Sequence, residues 1–383
     1  MGGAMNLTTR PIGALAPLFL ALAMSACTKP YASPEFHPDP PRIRGIASAL
    51  DPQRPVDVIT IHGMCHRARG EWMATMHERL ASLLGGRSGA TPQAERSFGR
   101  VQLRHGIIET EQGMVRHHAI VWSPFTAERK RGLCYDSTAD GSEPVGSCAI
   151  TDGAPATLPV RRAPFNSGLK ASLLNDCLAD AVIYAGEAGD ELRDQVAQAV
   201  VRALAGAAAA PMATEQASLL AQERRNPLFF ISESLGSRIL FDALRQLQIE
   251  LADGPAALQA TRARTRQVFM VANQIPILDL ARPEGDEDSL QRFARGPEGE
   301  FGLEGPLPIV AFSDPNDLLS YTLHGSRYEH DDKLVIQDVL YSNAYTFLWF
   351  AERPTLAHTA YLEQPPLLEI IACGSPKEPD CPR

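Results

Sequence analysis

The run Pro227-Leu-Phe-Phe-Ile-Ser-Glu-Ser234-Leu-Gly-Ser-Arg-Ile-Leu-Phe-Asp-Ala-Leu244 holds a strand, a tight turn and a helix with almost no loop between them. Leu228 to Ile231 is an unbroken hydrophobic stretch of strand length, as a strand covered on both faces of a parallel sheet requires. Beyond the turn Ile239, Leu240, Ala243, Leu244 and Leu247 recur at helical spacing. Between strand and helix, Ser232 and Gly236 put small residues two positions either side of Ser234, where the chain reverses. A serine hydroxyl is a weak nucleophile until a base takes its proton, so Ser234 gains a chemical meaning only with a histidine and a carboxylate further along. The plain alternative is a serine-rich N-cap after a buried strand.

This turn resembles the nucleophile elbow of the α/β-hydrolase superfamily, G-x-S-x-G, with Ser232 standing where the first glycine would be. The resemblance implies an α/β-hydrolase fold: a mainly parallel central sheet, helices on both faces, and an insertion after an early strand. Upstream, Val56-Asp-Val-Ile-Thr-Ile-His62-Gly63 is a β-branched strand ending in His-Gly, followed by a helix over 71–84 that buries Trp72, Met76, Leu80 and Leu83. By the resemblance this His-Gly turn builds part of an oxyanion hole, with the Met64 and Leu235 N–H groups as its two donors. On the residues alone, His62 and His66 pack or hydrogen-bond around the turn.

Residues 118–122 read as the next strand, paired beside the first. The stretch 124–168 is rich in Gly, Ser, Asp, Thr and Pro, carries two cysteines and lacks periodicity, which fits a cap or a disulfide-pinned surface loop. Apolar stripes predict core helices over 169–184 and 190–207, then an Ala-rich connection to the elbow strand. Apolar runs at 268–272, 309–312 and 334–340 alternate with helical or loop segments, so the sheet is expected to be mainly parallel. The acidic stretch 283–305 reads as an exposed, solvated excursion.

In the superfamily the triad partners follow in the order serine, acid, histidine. Ser313-Asp314-Pro-Asn-Asp317-Leu-Leu places two carboxylates after a strand. The resemblance favours Asp317, directly before a pair of aliphatic residues, with Asp314 as the alternative acid. Glu352-Arg-Pro-Thr-Leu-Ala-His358-Thr-Ala-Tyr361 supplies a histidine, expected in a loop before a closing segment at 366–372. Ser234, Asp317 and His358 would then cleave carboxylic esters, lipid esters among them, through an acyl-enzyme and without a cofactor. An acyltransferase or thioesterase on the same triad, or a non-catalytic lipid-anchored binding or scaffold protein, are the alternatives.

The net charge of −9 carries no basic cluster, which argues against nucleic acid as the main partner. Arg10 precedes an apolar run over 12–24 that is of signal-peptide length and too short to span a bilayer. It ends in Leu22-Ala-Met-Ser-Ala-Cys27, which resembles a bacterial lipobox. The expectation is a signal peptide over 1–26, lipidation of Cys27, a Pro-rich tether over 27–45 and a hydrolase domain over 46–383. Thr28, where an inner-membrane retention aspartate would stand, implies a cell-envelope protein anchored in the outer membrane and facing the periplasm. In that oxidising compartment the remaining six cysteines suggest disulfides. Sequence proximity favours Cys134 with Cys148 and Cys373 with Cys381, leaving Cys65 with Cys177. No pair has the C-x-x-C spacing of a zinc site, so no metal is expected.

Overall fold

The computed structural model describes residues 27–28, 33–38, 42–65, 71–88, 94–138, 157–158, 162–206, 212–282, 288–296, 305–347, 351–379 and 381. Its framework is a ten-stranded, mostly parallel sheet. In chain order the strands are β1 (Glu35–His37), β2 (Val56–Ile61), β3 (Arg87–Ser88), β4 (Ala94–Phe98), β5 (Val101–Thr110), β6 (Gly113–Val121), β7 (Leu228–Glu233), β8 (Thr265–Val271), β9 (Leu307–Ser313) and β10 (Leu334–Leu340). They lie side by side as β1-β10-β9-β8-β7-β2-β6-β5-β3, with β4 also paired to β5. The stretch from β10 across to β6 is parallel, and the outer strands at both edges are antiparallel.

Period-two alternation along the central strands sends their side chains into two cores. Val58, Phe229, Ile231, Phe269 and Phe312 pack with Leu80 of helix Glu71–Leu83 and with Leu367 and Ile371 of helix Pro365–Cys373. Ile59, Phe230, Val268, Met270 and Ile309 pack on the other face with Leu240 and Leu244 of helix Leu235–Glu250 and Val196, Val200 and Leu204 of helix Ala188–Leu204. The neighbouring parallel strands β2 and β7 therefore lead into helices on opposite faces. A crevice opens where such paths diverge, at the C-terminal ends of the strands.

Several expectations need correction. Part of the tether is built into the fold: β1 pairs antiparallel with β10, and Cys27–Thr28 pairs antiparallel with Thr346–Phe347. An open strand edge offers unpaired N–H and C=O groups, and β1 covers that of β10, while Cys27–Thr28 and Thr346–Phe347 form a separate two-stranded ribbon. The insertion begins with helix Ser123–Lys130, and the Ala-rich connection contains helix Thr214–Glu223. The acidic excursion contains helix Ser289–Arg295, whose Leu290 and Phe293 are buried. Its Asp288 is buried too, accepting from Leu290 and Gln291 N–H as a helix cap, so that carboxylate is structural and not solvated. Disulfides join Cys65 to Cys177 and Cys373 to Cys381. Cys134 is also disulfide-bonded, while Cys148, residues 1–26 and His66 lie outside the described residues.

Four of the histidines form two pairs, one between β6 and helix Glu71–Leu83 and one between β5 and β6. His117 and His118 are fully buried on opposite faces of β6. His117 Nε2 meets the Thr60 hydroxyl at 2.9 Å and its ring stacks on His77; His118 stacks on His105 at 4.8 Å. Burial, then the neighbouring histidines, hold both well below the usual imidazole pKa. Both are therefore neutral in the fold but would take up protons in the unfolded chain below about pH 6.5, so acid weakens the fold. Stability is expected to fall by about 1.4 kcal/mol per pH unit for each histidine well below that pH. Denaturant unfolding between pH 8 and pH 5 checks this. His118→Phe, which keeps the stack and removes two ring nitrogens that have no hydrogen-bond partner, should flatten the slope; an unchanged slope would contradict it.

Candidate active site

Ser234 caps the crevice end of β7. Its backbone sits at φ 53°, ψ −128°, a conformation that costs a residue other than glycine about 1–3 kcal/mol and persists only where its surroundings enforce it. The Ser234 N–H is tied to Val271 C=O at 2.7 Å and its C=O accepts from Ser237 N–H at 3.1 Å. Two glycines make the close approach possible. A Cβ on Gly63 would stand 2.6 Å from Ser234 Cβ, and one on Gly236 would stand 2.4 Å from the His62 carbonyl oxygen. At the position where Ser232 replaces a third small residue there is room for a hydroxyl: it accepts from Ser237 Oγ at 2.9 Å and donates to Phe269 C=O at 3.4 Å.

The sequence-predicted partners converge on this serine. Ser234 Oγ lies 2.9 Å from His358 Nε2. His358 Nδ1 lies 2.9 and 3.0 Å from the two carboxylate oxygens of Asp317. All three residues are buried, at 1, 3 and 6 % exposure. Asp317 also accepts from Leu319 N–H at 2.9 Å and from the Tyr361 hydroxyl at 3.0 Å, bonds that fix where the carboxylate stands. His358 stands in the last turn of helix Pro354–Thr359 and not in a loop.

Asp314, the alternative acid, does different work. It accepts from Asn343 N–H at 2.6 Å and from Asn316 N–H at 2.9 Å. Glu352 grips the same two segments, accepting from Ala344 N–H at 3.0 Å and from the Asn316 amide at 2.8 Å. The two carboxyls are thus held together where the acid loop, the exit of β10 and the approach to His358 meet. Burial and the Asp314 charge push Glu352 up to about 7, and burial raises Asp314 as well. Such a pair shares a proton at neutral pH instead of carrying two charges.

The turn after β2 is fixed at every point except one. The His62 ring stacks on Trp122, with ring centroids 4.9 Å apart. Its Nε2 accepts from Trp122 and Ser123 N–H at 3.0 and 3.2 Å, so its proton sits on Nδ1 and is given to Gly63 C=O at 2.7 Å. Gly63 N–H donates to Glu233 at 3.2 Å, and Cys65 N–H to the buried Asp180 at 2.8 Å. Asp180 in turn pairs with the buried Lys130 at 2.9 Å, and the Cys65–Cys177 disulfide locks the far end. Between these, Met64 N–H has no partner among the described residues. Leu235, first residue of the elbow helix, has no carbonyl a turn earlier within that helix to bond. The sequence pointed to Met64 and Leu235 but missed Asp180, Lys130, Glu352 and Tyr361. Only Tyr361, three residues after His358, carried a local signal.

Among the described residues no three His, Cys, Asp or Glu side chains are grouped to hold a metal ion. Comparisons of the chain with family models, with curated proteins and with solved structures found no match. The functional reading therefore rests on the site itself.

Because Glu352 is pushed up in the fold relative to its ordinary value near 4.5, the neutral form is favoured and its contribution to stability is lost as pH rises from that value through about 7. Glu352→Gln removes the charge and keeps one of the two accepted hydrogen bonds, so its melting temperature relative to the wild type should rise between pH 5 and pH 8. A difference that stays constant or falls over that range would contradict the shared-proton assignment.

Proposed function

We infer that the chain is a serine hydrolase of the α/β-hydrolase type that cleaves carboxylic esters. The observation that carries this reading is the buried relay from Ser234 through His358 to Asp317. Its chain order, serine, acid, histidine, is the superfamily's, and the strained strand-to-helix turn at the end of a central strand is where its nucleophile stands.

The chemistry follows from the geometry. His358 Nε2 takes the Ser234 proton as Oγ attacks the acyl carbon, and the imidazolium is stabilised by Asp317, which also holds the Nδ1–H tautomer. The developing alkoxide is bound by Met64 and Leu235 N–H, a pair of donors each worth about 10²–10³ in rate at such sites. His358 returns the proton to the leaving alcohol, then activates a water that frees Ser234 from the acyl-enzyme.

Lipid esters suit the surroundings. Leu174, Leu178, Leu318 and Leu356 are apolar, 39 to 64 % exposed, and belong to the segments that carry Cys177, Asp317 and His358. In this reading Cys27 bears the acyl anchor of an outer-membrane lipoprotein. Its pairing with Phe347 ties that anchor to the segment between β10 and the helix that carries His358.

An ester panel of increasing acyl length tests the proposal. Ser234→Ala and His358→Ala should lose at least about 10⁴-fold in kcat/KM. Asp317→Asn should lose several hundred-fold or more, while Asp314→Asn, which leaves the relay intact, should lose less than tenfold. Turnover that survives Ser234→Ala, or a larger loss in Asp314→Asn than in Asp317→Asn, would overturn the assignment.

A further inference from the structure

At the opposite end of the parallel strands from Ser234 two adjoining cavities open, of about 480 and 620 Å³. They share Ala263 and Arg266 on their walls. Arg42, Arg44, Arg262 and Arg266 line the first, and Arg54, Arg224, Arg225 and Arg264 join Arg266 in the second. No Asp or Glu among the described residues lines either cavity, although the chain as a whole carries a net charge of −9. Both volumes are in the range of small-ligand sites.

Some of this charge is spoken for. The buried Asp57 pairs with Arg264 at 2.8 Å and Arg224 at 3.2 Å, Glu378 pairs with Arg42 and Asp51 with Arg54 at 3.5 Å. Arg44 and Arg266 are exposed and make no ion pair among the described residues. Arg262 is the unusual member. It is only 5 % exposed, and among the described residues its guanidinium reaches only the Ala294 and Gly305 carbonyls, at 3.4 and 3.1 Å. A buried guanidinium without a counter-charge is costly unless an anion comes to it. Gln337, 2 % exposed, lines the same cavity, and its carbonyl oxygen has no hydrogen-bond partner. It would accept from a ligand hydroxyl.

We propose that this end of the sheet binds a phosphorylated ligand, held by Arg44 and Arg266 at the mouth and by Arg262 inside, with a ligand hydroxyl on Gln337. Guanidinium groups meet phosphate oxygens through paired, charge-assisted hydrogen bonds, which suits several arginines better than lysines to this task. The site is independent of the ester chemistry at Ser234 and stands or falls without it.

Calorimetric titration of the full chain with inorganic pyrophosphate tests it. Binding should be saturable, weaken with salt, and be at least tenfold weaker in Arg44→Ala/Arg266→Ala, whose exposed positions leave folding intact. Arg262→Met should lose the same binding while melting no lower than wild type in the absence of anion, since it removes a buried unpaired charge. Ser234-dependent ester turnover should be unaffected in the double variant. Vesicles of phosphatidylglycerol and of phosphatidylcholine separate the sources of the phosphate. Variant-sensitive binding to the anionic vesicles alone assigns it to a lipid headgroup, and pyrophosphate binding without vesicle binding assigns it to a free phosphorylated molecule. Non-saturable titrations, or variants that bind pyrophosphate and vesicles as the wild type does, overturn the proposal.

Discussion

A serine forced to positive φ between a buried strand and a helix is the constraint on which the site depends. The turn keeps Ser234 Oγ at the crevice only while the His62-Gly63 turn packs within a few ångströms behind it, and a methyl group on Gly63 would already collide with Ser234 Cβ. The strain is of order 1–3 kcal/mol. It is offset by burial of the β7 strand on both faces, by the Val271 and Ser237 backbone bonds and by the amphipathic helix Leu235–Glu250, eleven of whose residues are buried. The elbow is therefore a consequence of the core around it, and loosening that core would displace the Ser234 hydroxyl first.

Around that point the protein uses carboxylates for separate purposes. Asp317 holds the His358 ring, Asp180 and Glu233 each hold one amide of the turn after β2, and Asp314 with Glu352 joins three loops. Each carboxylate is placed by backbone N–H donors or a lysine, so the positions of Ser234, His358 and Asp317 are set by the fold itself. The disulfide from Cys65 to Cys177 ties the same turn to the segment that overlies the site. In a fold without substrate, such prior placement is the contribution a protein can make to an acyl-transfer step.

Much of this was legible in the residues because the informative signals were local. The hydrophobic run to Ile231, the small residues about Ser234 and the helical spacing after it lie within one stretch, and the parallel sheet follows from repeating strand and helix patterns. The two acid candidates were legible as a pair but not apart: what separates them is the Tyr361 hydroxyl on Asp317 and the Asn343 amide on Asp314, contacts made across the fold. The β5–β6 hairpin was half missed because the alternation of Val101–Thr110 breaks at His105-Gly106 and Ile107-Ile108. The helix Ser289–Arg295 was hidden by acidic neighbours, one of which turned out to be its cap. The arginines at the far end of the sheet escaped notice for a related reason. They are scattered from Arg42 to Arg266 in the chain and meet only because the N-terminal ends of parallel strands do.

The most direct measurement of the central claim is covalent labelling of the folded protein with a fluorophosphonate, read by intact mass and peptide mapping. The account predicts one adduct, on Ser234, which disappears in His358→Ala although that variant stays folded. A folded wild-type protein that takes no label, or takes it on another residue, would contradict the claim that the strained turn and the imidazole together make this hydroxyl a nucleophile.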